Sequence, residues 1–283
     1  MELSRIGVVG CGLMGAGIAE VCARAGYAVT VREINDELLQ KGLDRIHKSL
    51  ARAVARGKAT QDLADQALAR IKGTLDLADF AACDLVVEAA VENMGIKKEI
   101  FAALDDILPP HTILASNTSS LCITEMASVT QRGDKVLGIH FFNPVPVMPL
   151  IEFVRTILTS DETMEIAAQF GASLGKTMVT AKDTPGFIVN RLLIPYILDA
   201  VRVYEDGLAS REDIDTAIKL GLNHPMGPLT LLDFVGLDTC LFIADAMYDE
   251  YKDSRYAAPP LLRRMVLAGH LGRKSGKGFY DYS

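Results

Sequence analysis

Residues 6–33 constrain this chain more than any other stretch. Ile6-Gly7-Val8-Val9 reads as a short buried strand, Gly10-Cys11-Gly12-Leu13-Met14-Gly15 is a G-x-G-x-x-G turn, and residues 16–25 continue as a helix closed by Gly26. A second strand, Ala28-Val29-Thr30-Val31-Arg32, ends at Glu33, eighteen residues after Gly15. Each glycine meets its own steric demand: Gly10 the tight turn, Gly12 the approach of backbone to a pyrophosphate, Gly15 close helix–strand packing. The start of the helix offers unpaired N–H groups and a positive dipole end to phosphate. An acid at the position of Glu33 suits hydrogen bonds from a ribose diol. A glycine triplet alone is a weak signal; strand, glycines, helix, strand and acid in this order predict a dinucleotide-binding βαβ unit.

Strand and helix continue to alternate up to about residue 182. Helical patterns cover 36–57 and 61–70, a short strand is expected at 71–74, and Leu85-Val86-Val87 is a buried strand ending in Glu88. An amphipathic helix over 96–108 closes at Pro109-Pro110. A strand at 112–116 leads into the polar turn Asn117-Thr118-Ser119-Ser120, and a short helix near 121–128 follows. Ser160 is expected to cap a helix over 161–174 that stops at Gly175. Such alternation predicts an α/β, doubly wound, mostly parallel sheet with its ligands outside the carboxyl ends of the strands. Glu33, Glu92, Ser119 and His140 all follow strand ends and should converge on one edge.

Within residues 136–152 an apolar strand delivers His140, a Pro-interrupted loop follows, and a second apolar run carries Glu152. A carboxylate beside an imidazole orients the ring and favours the imidazolium formed when it takes a proton. A His–Glu pair on neighbouring strands is therefore a candidate general base near neutral pH. By itself a histidine at a strand end is more often a hydrogen-bonded core residue; the nucleotide fingerprint in the same domain favours chemistry.

Composition changes at Asp183-Thr184-Pro185-Gly186, beyond which helical patterns dominate: 188–204, a helix opened by Ser210-Arg211-Glu212-Asp213 as an S-x-x-D cap, then 229–248 and 261–268. Two domains follow, residues 1–183 and an all-α domain over 184–283 joined by a short hinge. The helix at 188–204 is apolar over most of its surface, so it should sit at the centre of that domain or at a subunit interface.

The 283 residues carry a formal net charge of −7, which argues against general nucleic-acid binding. No apolar run approaches the ~18 residues needed to span a bilayer, and the chain enters its first strand after five residues, which leaves no room for a targeting peptide. Five scattered cysteines without a C-x-x-C suggest reduced thiols in a cytoplasmic protein, and no cluster has metal-ligand spacing, so no metal is expected. Against this acidic background, Lys48, Arg52 and Arg56 recur at i, i+4 and i+8 on one helix face, with Lys58 just beyond. Such a face is either simply solvated or receives a ligand with several phosphates, which the guanidinium fork suits.

Several segments resemble the L-3-hydroxyacyl-CoA dehydrogenase family, and the resemblance extends over the whole chain. They are G-C-G-L-M-G at 10–15, V-V-E-A-A-V-E-N at 86–93, S-N-T-S-S at 116–120, H-F-F-N-P-V-P-V-M at 140–148, D-T-P-G-F-I-V-N-R at 183–191, H-P-M-G-P at 224–228 and L-G-R-K-S-G-K-G-F-Y at 271–280. The resemblance implies a Rossmann-type NAD-binding domain followed by a helical domain that closes over substrate and forms a homodimer. It implies His140 as general acid/base, Glu152 as its orienting partner, and Ser119 and Asn190 as donors to the reacting oxygen. It places the cofactor on Gly10, Gly12, Leu13, Met14, Gly15, Glu33, Glu92, Lys97, Asn117 and Lys274, and the coenzyme A ester on Ser49, Arg52, Arg56, Ser119 and Asn143. The implied reaction interconverts short-chain 3-hydroxyacyl-CoA and 3-oxoacyl-CoA. A dehydrogenase of the same fold acting on a free hydroxy acid or sugar acid stands as the alternative. Glu33 disfavours a 2′-phosphate and so favours NAD, while the adjacent Arg32 leaves NADP open. Cys11 stands where the family usually has Ala, and Arg52 and Arg56 where many relatives carry Lys.

Overall fold

The computed structural model describes residues 3–283. They form two compact units, divided between Thr184 and Pro185. The first carries eight strands: β1 (Arg5–Val9), β2 (Ala28–Arg32), β3 (Ile71–Thr74), β4 (Leu85–Glu88), β5 (Ile113–Ser116), β6 (Val136–Phe141), β7 (Leu150–Arg155) and β8 (Thr177–Lys182). They lie in one sheet in the order β3-β2-β1-β4-β5-β6-β7-β8. Every neighbouring pair is parallel except β6–β7. Strand order reverses between β1 and β4, which opens a crevice at the carboxyl ends where ligands of such sheets bind. The central strands are buried almost throughout, as strands covered by helices on both faces must be.

Helix α1 (Leu13–Arg24) begins inside the glycine fingerprint rather than at residue 16, because Gly12 already serves as its N-cap. A Cβ on Gly15 would lie 1.8 Å from the Gly10 carbonyl oxygen, so only glycine permits this start. Helix α2 (Asp36–Ala55) is capped by Asn35, which accepts from the Leu38 N–H, and α3 (Gln61–Ala69) by Thr60. Gly42 lets α2 cross the fingerprint closely: a Cβ there would meet the Cys11 sulfur at 2.2 Å. Helices α4 (Met94–Ile107), α5 (Ile123–Ala127) and α6 (Asp161–Ser173) complete the unit, α6 capped by Ser160 as its sequence predicts. Asp183 takes no part in a helix of its own; it accepts from the Ile123 and Thr124 N–H groups at the start of α5.

Strand β8 is not evident from local pattern. Thr177–Lys182 alternates weakly between exposed and half-buried residues, none of them buried, and it becomes a strand through six parallel register pairs with β7.

The second unit is helical: α7 (Val189–Glu205), α8 (Arg211–Gly221), α9 (Pro228–Val235), α10 (Leu237–Tyr251) and α11 (Pro260–Leu267). Ile194, Ile197, Leu198 and Val201 of α7 are in its core, packed with Leu229, Leu232, Cys240 and Met247. The helix read over 229–248 is in fact two, broken at Gly236, whose φ of +106° no ordinary L-residue adopts comfortably. Asp233 fastens the C-terminal segment by accepting from the Phe279 and Tyr280 N–H groups and the Tyr282 hydroxyl. Among the described residues no helix is long and apolar enough to cross a membrane.

Candidate active site

His140 and Glu152 are opposed residues in the antiparallel β6–β7 ladder, so their side chains leave the same face of the sheet. His140 Nδ1 lies 2.7 Å from Glu152 Oε2. Glu152 is fully buried and the histidine is 6 % exposed, so the ring has an inner anchored side and a small outer one. A carboxylate acceptor at Nδ1 selects the tautomer with its proton there, which leaves the lone pair of the neutral ring on Nε2. The Phe142 ring is tilted against the imidazole with centroids 4.5 Å apart.

Asn117, past the end of β5, accepts the Phe141 N–H on its Oδ1 at 2.9 Å and so ties that turn to the histidine strand. Beyond the strand, the Asn143–Pro144 peptide is cis and Asn143 is exposed. Lys176 holds this loop from behind, donating to the carbonyls of Val145 at 2.7 Å and Met148 at 2.6 Å. Burial pulls its ammonium below the ordinary lysine range.

At the neighbouring strand ends, a buried ionic cluster joins β4, β5, α4 and the loops between them. Lys97 of α4 is only 1 % exposed, and its Nζ lies 2.7 Å from Glu88 Oε1 and 3.2 Å from Glu92 Oε2. Glu88 also accepts from Ser116 Oγ at 2.6 Å. Glu92 Oε1 in turn accepts from the Thr118 hydroxyl and from the Ser119 N–H at 3.1 Å. Of the residues expected to line the cofactor, Glu92 is therefore bonded to the backbone of Ser119, while the charge of Lys97 is directed at carboxylates within the fold.

The opposite side of the crevice presents an open helix start. Gly12 caps α1 without any side-chain hydrogen bond, the first turn holds no acid, and a Cβ on Gly12 would meet nothing within 4 Å. The helix start is thus open to an anion. Leu13 is exposed and Met14 half-buried beside it. Glu33 accepts from the Cys11 N–H at 2.7 Å and the Ile34 N–H at 3.1 Å, which holds its carboxylate against the fingerprint loop. These residues fit a dinucleotide whose ribose meets an acid. Cys11 itself is buried, and burial raises its thiol to about 12.

On α2, Arg52 is exposed, Ser49 half-buried, and Arg56 is the exposed C-cap. Arg52 Nε donates to the Lys48 carbonyl, which lays its guanidinium along the helix. Beneath them Glu20 of α1 is 1 % exposed, with Arg24 Nη1 3.6 Å from an Oε1 that has no hydrogen-bond partner. Burial is the chief reason its carboxyl is raised; the Ser49 hydroxyl and the charges of Arg24 and Arg52 oppose it.

In the helical unit, Asn190 sits in the first turn of α7 with 9 % exposure. The N-cap of that helix is Ile188, so Asn190 is not its capping residue. Lys274, in a short 3-10 turn, places Nζ 2.5 Å from Asp238 Oδ1.

Sequence reading assigned no role to Glu88, Ser116, Lys176 or Asp238. For Glu88 a signal existed: an acid closing an all-apolar strand must find a partner when buried. For Lys176 none did, because its partners are backbone carbonyls 28 and 31 residues away.

Residues 5–184 match the family model for the 3-hydroxyacyl-CoA dehydrogenase NAD binding domain, and residues 186–282 match the C-terminal domain of the same family. The chain is 52 % identical over 282 residues to a 3-hydroxybutyryl-CoA dehydrogenase of Mycobacterium tuberculosis, covering 99 % of each chain. It is 47 % identical to the human mitochondrial hydroxyacyl-coenzyme A dehydrogenase, covering 99 % of this chain and 91 % of that protein. The crystal structure of (S)-3-hydroxybutyryl-CoA dehydrogenase from Ralstonia eutropha superposes with a TM-score of 0.95 at 47 % identity, over 100 % of both chains.

Proposed function

The chain belongs to the 3-hydroxyacyl-CoA dehydrogenase family, and from that premise we propose that it interconverts (S)-3-hydroxybutyryl-CoA and acetoacetyl-CoA with NAD, His140 acting as general acid/base. The observation that carries the proposal is the 2.7 Å contact between His140 Nδ1 and Glu152 Oε2 at the edge of an NAD-binding domain. NAD, when bound, supplies the hydride acceptor or donor at the nicotinamide C4.

With Nδ1 committed to Glu152, exchange of the substrate proton falls to Nε2. In the oxidative direction Nε2 takes the proton from the substrate hydroxyl oxygen while a hydride leaves the carbinol carbon for the nicotinamide, so that carbon becomes the carbonyl, and the Glu152 carboxylate stabilises the imidazolium so formed. In the reductive direction the same nitrogen returns the proton to the alkoxide. Ser119 and Asn190 are assigned to the substrate oxygen by their family motifs, Asn117 and Lys274 to the cofactor; Glu92 joins the cofactor site to the Ser119 backbone. Such oxyanion donors typically contribute ~10²–10³ in rate.

Ser49, Arg52 and Arg56 are assigned to the phosphates of coenzyme A, and the exposed cationic face of α2 supports this over a free hydroxy acid. Asn143 is assigned to the substrate from its motif alone. Residues 1–183 would then form the cofactor domain and 184–283 a domain that closes over substrate and pairs two copies of the chain. Exposed Leu192, Leu208, Leu220 and Leu267 on the helical unit support the pairing, and five unpaired cysteines support a cytoplasmic location.

The test is steady-state oxidation of NADH and NADPH with acyl-CoA esters of C4 to C10 length. The reading expects turnover of acetoacetyl-CoA with NADH. Absence of turnover with either reduced nucleotide refutes it.

A further inference from the structure

Net stability does not by itself call for a charged pair at Glu88. A buried acid–lysine pair offsets its desolvation cost at best, and apolar residues of similar volume often serve as well. Yet Glu88 closes a strand that is otherwise Leu85-Val86-Val87, and its carboxylate is saturated with donors: Lys97 Nζ at 2.7 and 2.9 Å, Ser116 Oγ at 2.6 Å and the Ala90 N–H at 2.7 Å. The ammonium it holds is the same one that reaches Glu92, which is bonded to Thr118 and Ser119. Two carboxylates thus share one ammonium, and one formal negative charge is left over.

The location of that charge is what matters. The cluster stands at the carboxyl ends of β4 and β5, beside the point where strand order reverses. The backbone just after Glu88 packs on the fingerprint: a Cβ on Gly10 would lie 2.6 Å from the Ala89 carbonyl oxygen. A dinucleotide held by the fingerprint runs across this crevice. Its oxidised nicotinamide carries a positive charge that the reduced ring lacks, so an unneutralised anion beside the crevice discriminates between the two forms.

We propose that Glu88 is a positioning residue for the cofactor site: by sharing the Lys97 ammonium with Glu92 it holds Glu92 in place and leaves one net negative charge there, so that the oxidised cofactor is favoured over the reduced one. The inference rests on the reading of this domain as the NAD site. It concerns the balance between the two redox forms, which that reading leaves open.

Equilibrium binding tests it without turnover. NADH is titrated by its fluorescence and NAD⁺ by calorimetry, on the full chain and on Glu88→Gln, Glu88→Asp and Glu92→Gln. Removal of one carboxylate charge should raise the ratio of the NAD⁺ Kd to the NADH Kd by about tenfold, the scale expected for a nearby unit charge in a partly buried site. Glu88→Asp keeps the charge and should keep the ratio within about twofold of the parent. Glu92→Gln preserves the Glu88–Lys97 pair in the core, so it reads the same charge in a protein whose fold is intact should Glu88→Gln be unstable. An unchanged ratio in Glu92→Gln, or equal weakening of both forms in Glu88→Gln, overturns the proposal. Failure of the unsubstituted chain to bind either form overturns the cofactor reading instead, and this inference with it.

Discussion

The nitrogen Nδ1 of His140 meets Oε2 of Glu152 at 2.7 Å because the residues oppose each other across two antiparallel strands. The pair is set by the register of the two strands rather than by the loop that joins them. Replacing Glu152 by Gln keeps the shape but removes the charge that stabilises an imidazolium, and replacing His140 by Gln removes the base. Each should lower kcat by ~10²–10⁴-fold. NADH affinity, read by fluorescence, should stay within about twofold of the parent, because uniform binding and proton transfer are separate contributions. Full activity in His140→Gln would show that the proton moves elsewhere.

The fingerprint glycines should separate binding from folding. A methyl on Gly15 would collide with the Gly10 carbonyl, whereas one on Gly12 projects into open space. Gly15→Ala is therefore expected to lower the melting temperature. Gly12→Ala should melt within about 2 °C of the parent yet weaken NAD binding strongly, since ~1 kcal/mol shifts a chain of this size by only a few degrees. Calorimetry on both variants distinguishes them; equal loss of stability would contradict the geometry.

Arg52 and Arg56 present an exposed cationic face on α2. Changing both to Ala should raise KM for acetoacetyl-CoA about tenfold, in line with charge-assisted phosphate contacts that solvent partly screens. The kcat should hold, and the effect should shrink as ionic strength rises. A KM that does not move would return these residues to a solvated surface role.

Glu20 makes the stability of the first unit depend on pH. Burial raises its folded carboxyl above the value in the unfolded chain, so between those two values the native state holds more proton than the unfolded state. Stability from this group therefore falls as pH rises through that window, and the penalty is complete above the folded value. Glu20→Gln should melt higher than the parent at pH 8, and the gap should close as pH falls towards 4. Melting curves across that range check the sign; a gap that widens on acidification would refute it.

The thiols should differ in reactivity. Burial raises Cys11, Cys83 and Cys240 to about 12 and Cys22 further still; it raises Cys122 as well, but that thiol alone is exposed. Iodoacetamide at pH 8 should label Cys122 in the native protein and all five cysteines after unfolding, as intact-mass spectrometry would show. Rapid labelling of Cys11 in the folded chain would mean that the fingerprint loop opens.

Much of the architecture was readable from short-range pattern. Ser160 and Ser210 stand one residue before helices and bond into their first turns; such caps are local chemistry and need no tertiary knowledge. The apolar runs at β1, β4 and β6 likewise declare strands covered on both faces. Two helix boundaries escaped the pattern because the conformation of a single glycine decided them. The start of α1 at Leu13 depends on Gly12 as a cap, and the break at Gly236 depends on a backbone angle that one glycine in an otherwise helical run does not announce.

What the amino-acid order settled unaided was the kind of unit: strand, glycine turn, helix, strand and acid, then a break at Pro-Gly and an all-helical remainder. That follows because periodicity, capping and glycine sterics act over a few residues at a time. Only the folded chain decided that Thr177–Lys182 is a strand, that Glu152 falls opposite His140, and that Lys97 serves two carboxylates at once. Those outcomes are set by strand register and by the need of buried charge for partners, and both conditions join residues that local pattern treats as independent.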